Sequence, residues 1–312
     1  MKNSGENKNG INSALFGELT EAQTSGLAFS AATVMPYVLS ILFLLVGTLF
    51  GLFQEGFETQ DWYLYVNYLL TQLGFALVAA WYFFLTKKPV KTLVGKPSVW
   101  DFVLAIAMQF GLMFFLGGLN EWFVIILEGW GLSAPEPQLP SLDGFGFVGV
   151  LLVVAVLPAI FEETVFRGVV LNGLKDFPIW AAALLCGGMF SLFHQNPAQT
   201  IYQFFCGVAF ALIALRSGSI LPTVVAHFLN NAFILCVTKF GWQTDMLPIL
   251  IASAVCFVGA SAYLVYWAIK REKARRKESN PADKKGKWQF LLFALAGLLI
   301  CVIGWVLQLL GA

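Results

Sequence analysis

The sequence predicts an all-α fold, a polytopic membrane helical bundle of about eight to nine transmembrane helices. Hydrophobic residues make up 58% of the 312 positions and charged residues only 12%. Apolar runs recur at intervals of roughly 25–35 residues, and each is long enough for a span, which needs about 20 apolar residues. The runs are continuous, unlike the short alternating segments of an outer-membrane barrel.

The chain opens on a polar tail, residues 1–27, without the basic-then-apolar pattern of a cleaved signal peptide. The first apolar run, 28–53, is therefore expected to be a retained span. Eight more are expected near 62–86, 100–126, 145–170, 178–195, 198–216, 220–240, 247–269 and 288–311. The proline-rich stretch Ser133-Ala134-Pro135-Glu136-Pro137-Gln138-Leu139-Pro140 reads as a loop. It divides the N-terminal spans (28–144) from a central segment (145–240), and C-terminal spans (241–312) follow. The five cysteines lie within apolar runs and lack CxxC spacing, so they read as small buried hydrophobes.

Thirteen of the nineteen basic residues fall in two connections, Lys87 to Lys96 and Lys270 to Lys287. The positive-inside rule puts both in the cytoplasm of what is expected to be the cell membrane. The N-terminus is then cytoplasmic and the C-terminus external. The expected outer loops carry acids instead: Glu55, Glu58, Asp61, Glu128, Glu136 and Asp143. The basic stretch 270–287 reads as a solvated loop and topology signal. The expected partners are the lipid bilayer and a peptide or membrane-protein substrate. A net charge of +1, with the positive charge mostly in loops, gives no sign of a nucleic-acid partner.

Ionisable groups inside spans are costly and usually functional. The chain has two histidines, and both stand in polar clusters within apolar runs. One cluster ends in His194, and another is His227-Phe228-Leu229-Asn230-Asn231. The third is Glu162-Glu163-Thr164-Val165-Phe166-Arg167. Glu162 and His194 lie sixteen residues to either side of Pro178. A hairpin turning there sets them level, each roughly 24 Å from the turn. His227 enters from the same side at a similar depth, about 12 Å past Gly218-Ser219.

Glu163 and Arg167 are spaced i,i+4 and are expected to pair, which leaves Glu162 free as a base. His227 and Asn231 share one helical face and suit an oxyanion. Read singly, each cluster has a structural alternative: a helix-bridging ion pair, a hydrogen-bonded core histidine, or interhelical polar contacts. Asn230, Thr164, Ser191 and Gln195 read as packing or polar glue. No HExxH, GxGD or GxSG motif indicates another class of intramembrane protease.

EExxxR, FxxxH and HxxxN, in this order between Phe145 and Phe240, resemble the CPBP intramembrane proteases, also called Abi proteins. That family includes CAAX-type prenyl endopeptidases and bacteriocin-processing or self-immunity proteins. The resemblance implies an intramembrane endopeptidase in which Glu162 and His194 activate water and His227 and Asn231 form the oxyanion site. Glu163 and Arg167 complete the first motif, and 145–240 becomes the catalytic core. Such proteins are often classed as metalloproteases. Zinc held by the histidines and glutamates is the second option; a mechanism requiring no cofactor is preferred, because asparagine is a poor zinc ligand and a good oxyanion donor. The alternatives of another class are a noncatalytic bacteriocin-immunity or partner-binding protein on the same scaffold, and a proton-coupled transporter.

Overall fold

The computed structural model describes residues 11–13, 17–135, 137–244, 246–278 and 285–311. Residues 1–10 and 14–16 of the expected tail, with Glu136 and Lys284 of the expected loops, lie outside them. The described residues form an all-α bundle, preceded by one three-residue antiparallel pair, Ile11–Ser13 with Gly17–Leu19. Its principal helices are α1 (Glu21–Leu49), α2 (Asp61–Thr86), α3 (Val99–Gly129) and α4 (Gly146–Gly173). Then follow α5 (Ile179–Phe193), α6 (Thr200–Ser217), α7 (Leu221–Phe240), α8 (Leu247–Glu278) and α9 (Lys285–Leu309).

Eight of these, all except α5, meet the length and hydropathy needed to cross a membrane. α1 begins at Glu21, earlier than the apolar run suggests, because Thr20 and Gln23 close a capping box around its first turn. Thr24 and Ser25 are then buried rather than left in a tail. Large apolar side chains such as Leu42, Leu45, Val255, Tyr266 and Leu292 face outward from the bundle. That is the arrangement expected of helices whose solvent is lipid.

Polar ties identify the two ends. Glu21 pairs with Lys88 and Lys175, Asp101 with Arg216, and Glu272 accepts from the Ile179 backbone at 3.0 Å. The Lys87–Lys96 connection and the C-terminal part of α8 therefore share one end, the basic end. At the far end the Ser133 N–H donates to the Leu309 carbonyl at 2.8 Å, and Tyr68 donates to the Gln138 carbonyl at 2.8 Å.

α5 corrects the expectation of nine full spans. Its 15 residues reach about 22 Å, short of a hydrocarbon core of roughly 30 Å. The chain turns at His194, level with Tyr37 in α1, to which Gln195 is hydrogen-bonded. Tyr37 is about 24 Å along α1 from Glu21, with roughly 18 Å of that helix still to run. The polar turn 194–199 is thus inside the bundle. Non-helical backbone at such depth is tolerated only where protein or a cavity surrounds it. Here the Asn120 amide donates to the Ala198 carbonyl at 2.7 Å and accepts from the Tyr202 N–H at 3.2 Å.

α5 and α6 pack as an antiparallel pair with backbones almost touching. A Cβ on Gly207 would lie 2.7 Å from the Gly187 Cα, the close approach that small residues permit between membrane helices. Beneath the central segment Phe166 is fully buried, its ring centroid 5.0 Å from Phe190, 5.7 Å from Phe193 and 6.3 Å from Phe29.

Cysteines introduced at Lys91 and Arg271 are expected to react with an impermeant reagent from one side of the bilayer, and a cysteine at Ser141 from the other. Labelling of all three from a single side would contradict this crossing pattern.

Candidate active site

The first cluster sits on α4, whose backbone is irregular around it. A regular α-helical turn, Leu157–Glu163, is bracketed by two π-helical stretches, Leu151–Val156 and Thr164–Val170. Such widened turns recur at functional sites because they redirect side chains and loosen the carbonyl ladder. Pro158 contributes to the irregularity. In a regular helix the Val154 carbonyl would accept from residue 158, and proline has no N–H to give. The side chain of Asn231, on α7, donates to that carbonyl at 2.8 Å. One missing donor in α4 is thus answered from α7.

Glu163 is fully buried and paired with Arg167 at 2.9 Å, with both side chains inaccessible to solvent. The Arg167 guanidinium lies between two aromatic rings, 4.3 Å from the Phe190 centroid and 5.3 Å from that of Phe210. Cation–π attraction is strongest for desolvated cations such as this one. The His227 Nδ1 also meets the same carboxylate oxygen of Glu163, at 3.0 Å. The opposite ring nitrogen of His227 faces Glu162, 3.9 Å from its Oε2. His227 therefore stands between the two adjacent carboxylates.

Three buried polar atoms of the cluster have no hydrogen-bond partner among the described residues: Glu162 Oε2, Glu163 Oε2 and Arg167 Nε. Buried polar groups are nearly always satisfied.

His194 caps the C-terminus of α5, and its Nδ1 lies 2.8 Å from the Phe190 carbonyl. A carbonyl only accepts, so Nδ1 must carry the hydrogen and, in the neutral ring, Nε2 keeps its lone pair. Phe190 touches both imidazoles, with centroids 4.8 Å from His194 and 6.1 Å from His227. The Glu162 charge also acts on His194 electrostatically.

Asn231 is held at both ends of its amide. While Nδ2 donates to Val154, Oδ1 accepts from Asn230 at 2.8 Å. Asn230 is itself fixed: its Oδ1 accepts from Gln109 and from the Tyr202 hydroxyl, each at 2.7 Å. Gln109 also donates to the Tyr202 oxygen at 2.6 Å. Gln109, Asn230, His227, Phe190, Phe210, Cys206 and Gln203 line a single small cavity.

The structure thus brings Glu162, Glu163, Arg167 and His227 into one cluster, sets His194 against the same Phe190 ring, and ties Asn231 to α4 beside them. Gln109 and Tyr202 escaped the sequence reading. Gln109 could have been flagged as an uncharged polar residue inside an apolar run; nothing marks Tyr202. Asn230 lines the His227 cavity as well as packing. Thr164 and Ser191 bond to backbone carbonyls, of Ile160 in their own helix and of Thr200 across the turn. Among the described residues, no three His, Cys, Asp or Glu side chains form a group that could hold a metal ion.

Residues 144–233 match the sequence model of a family described as Type II CAAX prenyl endopeptidase Rce1-like. All six residues singled out by the motifs fall inside that match. An uncharacterised 24.3 kDa protein of Escherichia coli is 28% identical over 129 residues, which cover 38% of this chain and 59% of that relative. No solved structure matches. The three motifs and the buried cluster that they build fall within the residues that match this family model.

Proposed function

We propose that this protein is an integral membrane endopeptidase of the CAAX type, hydrolysing a peptide bond within the depth of its helical bundle. The observation that carries this reading is the buried carboxylate of Glu162. It faces the His227 ring and has an oxygen without a hydrogen-bond partner among the described residues, in a segment matching a prenyl endopeptidase family. By the positive-inside rule the basic end is cytoplasmic, the N-terminal side of α1 lies there, and the C-terminus of α9 is external.

The resting geometry supports specific roles. A water bound to Glu162 Oε2 loses a proton to Glu162, aided by His194, whose Nε2 lone pair is left free by the Phe190 contact. The resulting hydroxide attacks the scissile carbonyl carbon, and the carbonyl π electrons move onto oxygen. His227 stabilises that oxyanion. Its Nδ1 is taken up by Glu163, so Nε2, on the Glu162 side, is the atom that His227 presents to the oxyanion. Asn231 has a second amide N–H beyond the one given to Val154, and it joins His227 as donor. Collapse of the tetrahedral intermediate breaks the C–N bond as Glu162 returns the proton to the departing amine.

Glu163 and Arg167 act by holding His227. No step in this mechanism passes through a metal.

Three outcomes are expected. In detergent-solubilised protein, Glu162→Gln or His194→Ala abolishes turnover of a prenylated peptide while the unfolding temperature is kept. The double variant is scarcely worse than either single one, because the two act as a unit, and Asn231→Ala costs about 10²–10³-fold in kcat. Wild-type turnover in Glu162→Gln would remove the proposed base.

Arg167→Met leaves Glu163 buried without its cation, and should cost about 3–5 kcal/mol of stability. Thermal unfolding measures this, and an unshifted transition would mean that Glu163 is not held as an anion.

Prolonged chelation should leave activity intact, with well under one zinc per chain by elemental analysis. Activity lost on zinc removal and regained on its return would establish the metalloprotease instead.

A further inference from the structure

His194 is the last residue before the chain reverses, so its ring is only as well placed as that turn. Gln195 makes the reversal with φ of 49°. This is the left-handed region, which glycine enters freely and side chains with a Cβ rarely do. Were the turn alone required, glycine would serve better. The glutamine side chain must therefore contribute something that offsets the strain.

Its contacts show what that is. Tyr37, in α1, donates its hydroxyl hydrogen to Gln195 Oε1. On the other side the Gln195 amide lies against α9 at Gly304, where a Cβ would overlap Oε1. The rest of the turn is held from the same directions. Trp305 of α9 donates to the Thr200 hydroxyl at 2.7 Å, and the Asn196 amide donates to the Pro135 carbonyl at 2.9 Å. Tyr37, Pro135, Gly304 and Trp305 all lie outside residues 144–233.

We propose that Gln195, clamped between Tyr37 of α1 and Gly304 of α9, is a positioning residue that fixes the backbone at the end of α5 and with it the His194 ring. The proposal rests on the reading of His194 as a catalytic group. It makes α1 and α9, which the family match does not cover, part of the apparatus that sets the site's geometry. The clamp works through a single acceptor oxygen. Removing the Tyr37 hydroxyl frees the amide, and adding a methyl group at Gly304 displaces it. Either change lets the strained turn relax and the imidazole move.

Two histidines make a direct readout possible. In protein labelled with ¹³C at histidine Cε1, the spectrum holds two ring signals, assigned with a His227→Gln variant. Tyr37→Phe, Gln195→Gly and Gly304→Ala are each expected to shift or broaden the His194 signal and leave that of His227 in place. Peptide turnover should fall in kcat by about 10- to 100-fold, the penalty of a misplacement near 1 Å, with KM unchanged. Gln195→Glu keeps the acceptor oxygen and should restore the wild-type signal. Tyr37→Phe combined with Gln195→Gly should be no worse than Gln195→Gly alone. Should Gln195→Gly fail to fold, Tyr37→Phe, the loss of one oxygen atom, still decides. An unmoved His194 signal in Tyr37→Phe, or equal changes at both histidines, would overturn the proposal. Wild-type protein that turns over no peptide, yet shows the selective His194 response, would overturn the protease reading and leave the clamp standing.

Discussion

The interaction on which the rest of this structure depends is the contact of Glu163 with both Arg167 and His227. A carboxylate at zero exposure is tolerable only if its charge is met, and here one oxygen accepts from a guanidinium at 2.9 Å and an imidazole at 3.0 Å. Arg167 in turn needs its own burial justified. Phe190 and Phe210 supply this with their rings against the guanidinium, and the Gly207 carbonyl lies 3.5 Å from Nη2. Phe190 belongs to α5, Phe210 and Gly207 to α6, and His227 to α7. One buried ion pair on α4 thereby dictates how three other helices approach it. The near contact of Gly187 with Gly207 is what lets α5 and α6 present those groups together.

The second constraint is the break in α4. Regular α-helix from Gly146 to Gly173 would require a donor at 158, where the chain has proline. The structure resolves this with widened turns on both sides of Leu157–Glu163 and with the Asn231 amide at the Val154 carbonyl. The asparagine is therefore structural before it is chemical. Its orientation is imposed from both ends, by Val154 on the nitrogen and Asn230 on the oxygen, and Gln109 and Tyr202 lock Asn230 in turn. Preorganisation of this kind is what makes a hydrogen-bond donor effective toward developing charge, since nothing need reorient during reaction.

How much of this was legible in the sequence follows from the range of each interaction. The spans were readable because hydropathy over about 20 residues is a local property. The Glu163–Arg167 pair was readable because i,i+4 spacing fixes it within one helix. α5 was misjudged as a full span for a physical reason: residues 178–193 are almost wholly apolar, and where the helix stops is set by Tyr37, Asn120 and Trp305, far away in sequence. The contact of His227 with Glu163 bridges 64 residues and leaves no periodic trace. Sequence spacing could pair His227 with Asn231 on a helical face, but could not reveal that the first nitrogen of the ring was committed to a carboxylate.

That commitment gives the two histidines opposite characters. His194 gives its Nδ1–H to a backbone carbonyl and, in the neutral ring, keeps a lone pair on Nε2. His227 gives its Nδ1–H to the Glu163 carboxylate and turns Nε2 toward Glu162. In the proposed mechanism the same side chain serves as an acceptor in one place and a donor in the other. The difference is set by the group that each Nδ1 meets, Phe190 O or Glu163 Oε1. A hydrolytic site needs both: a group to receive the proton of water and a group to receive the charge of the oxyanion. In the proposed mechanism the folding of α4, α5 and α7 around Phe190 divides these roles between the chain's two imidazoles.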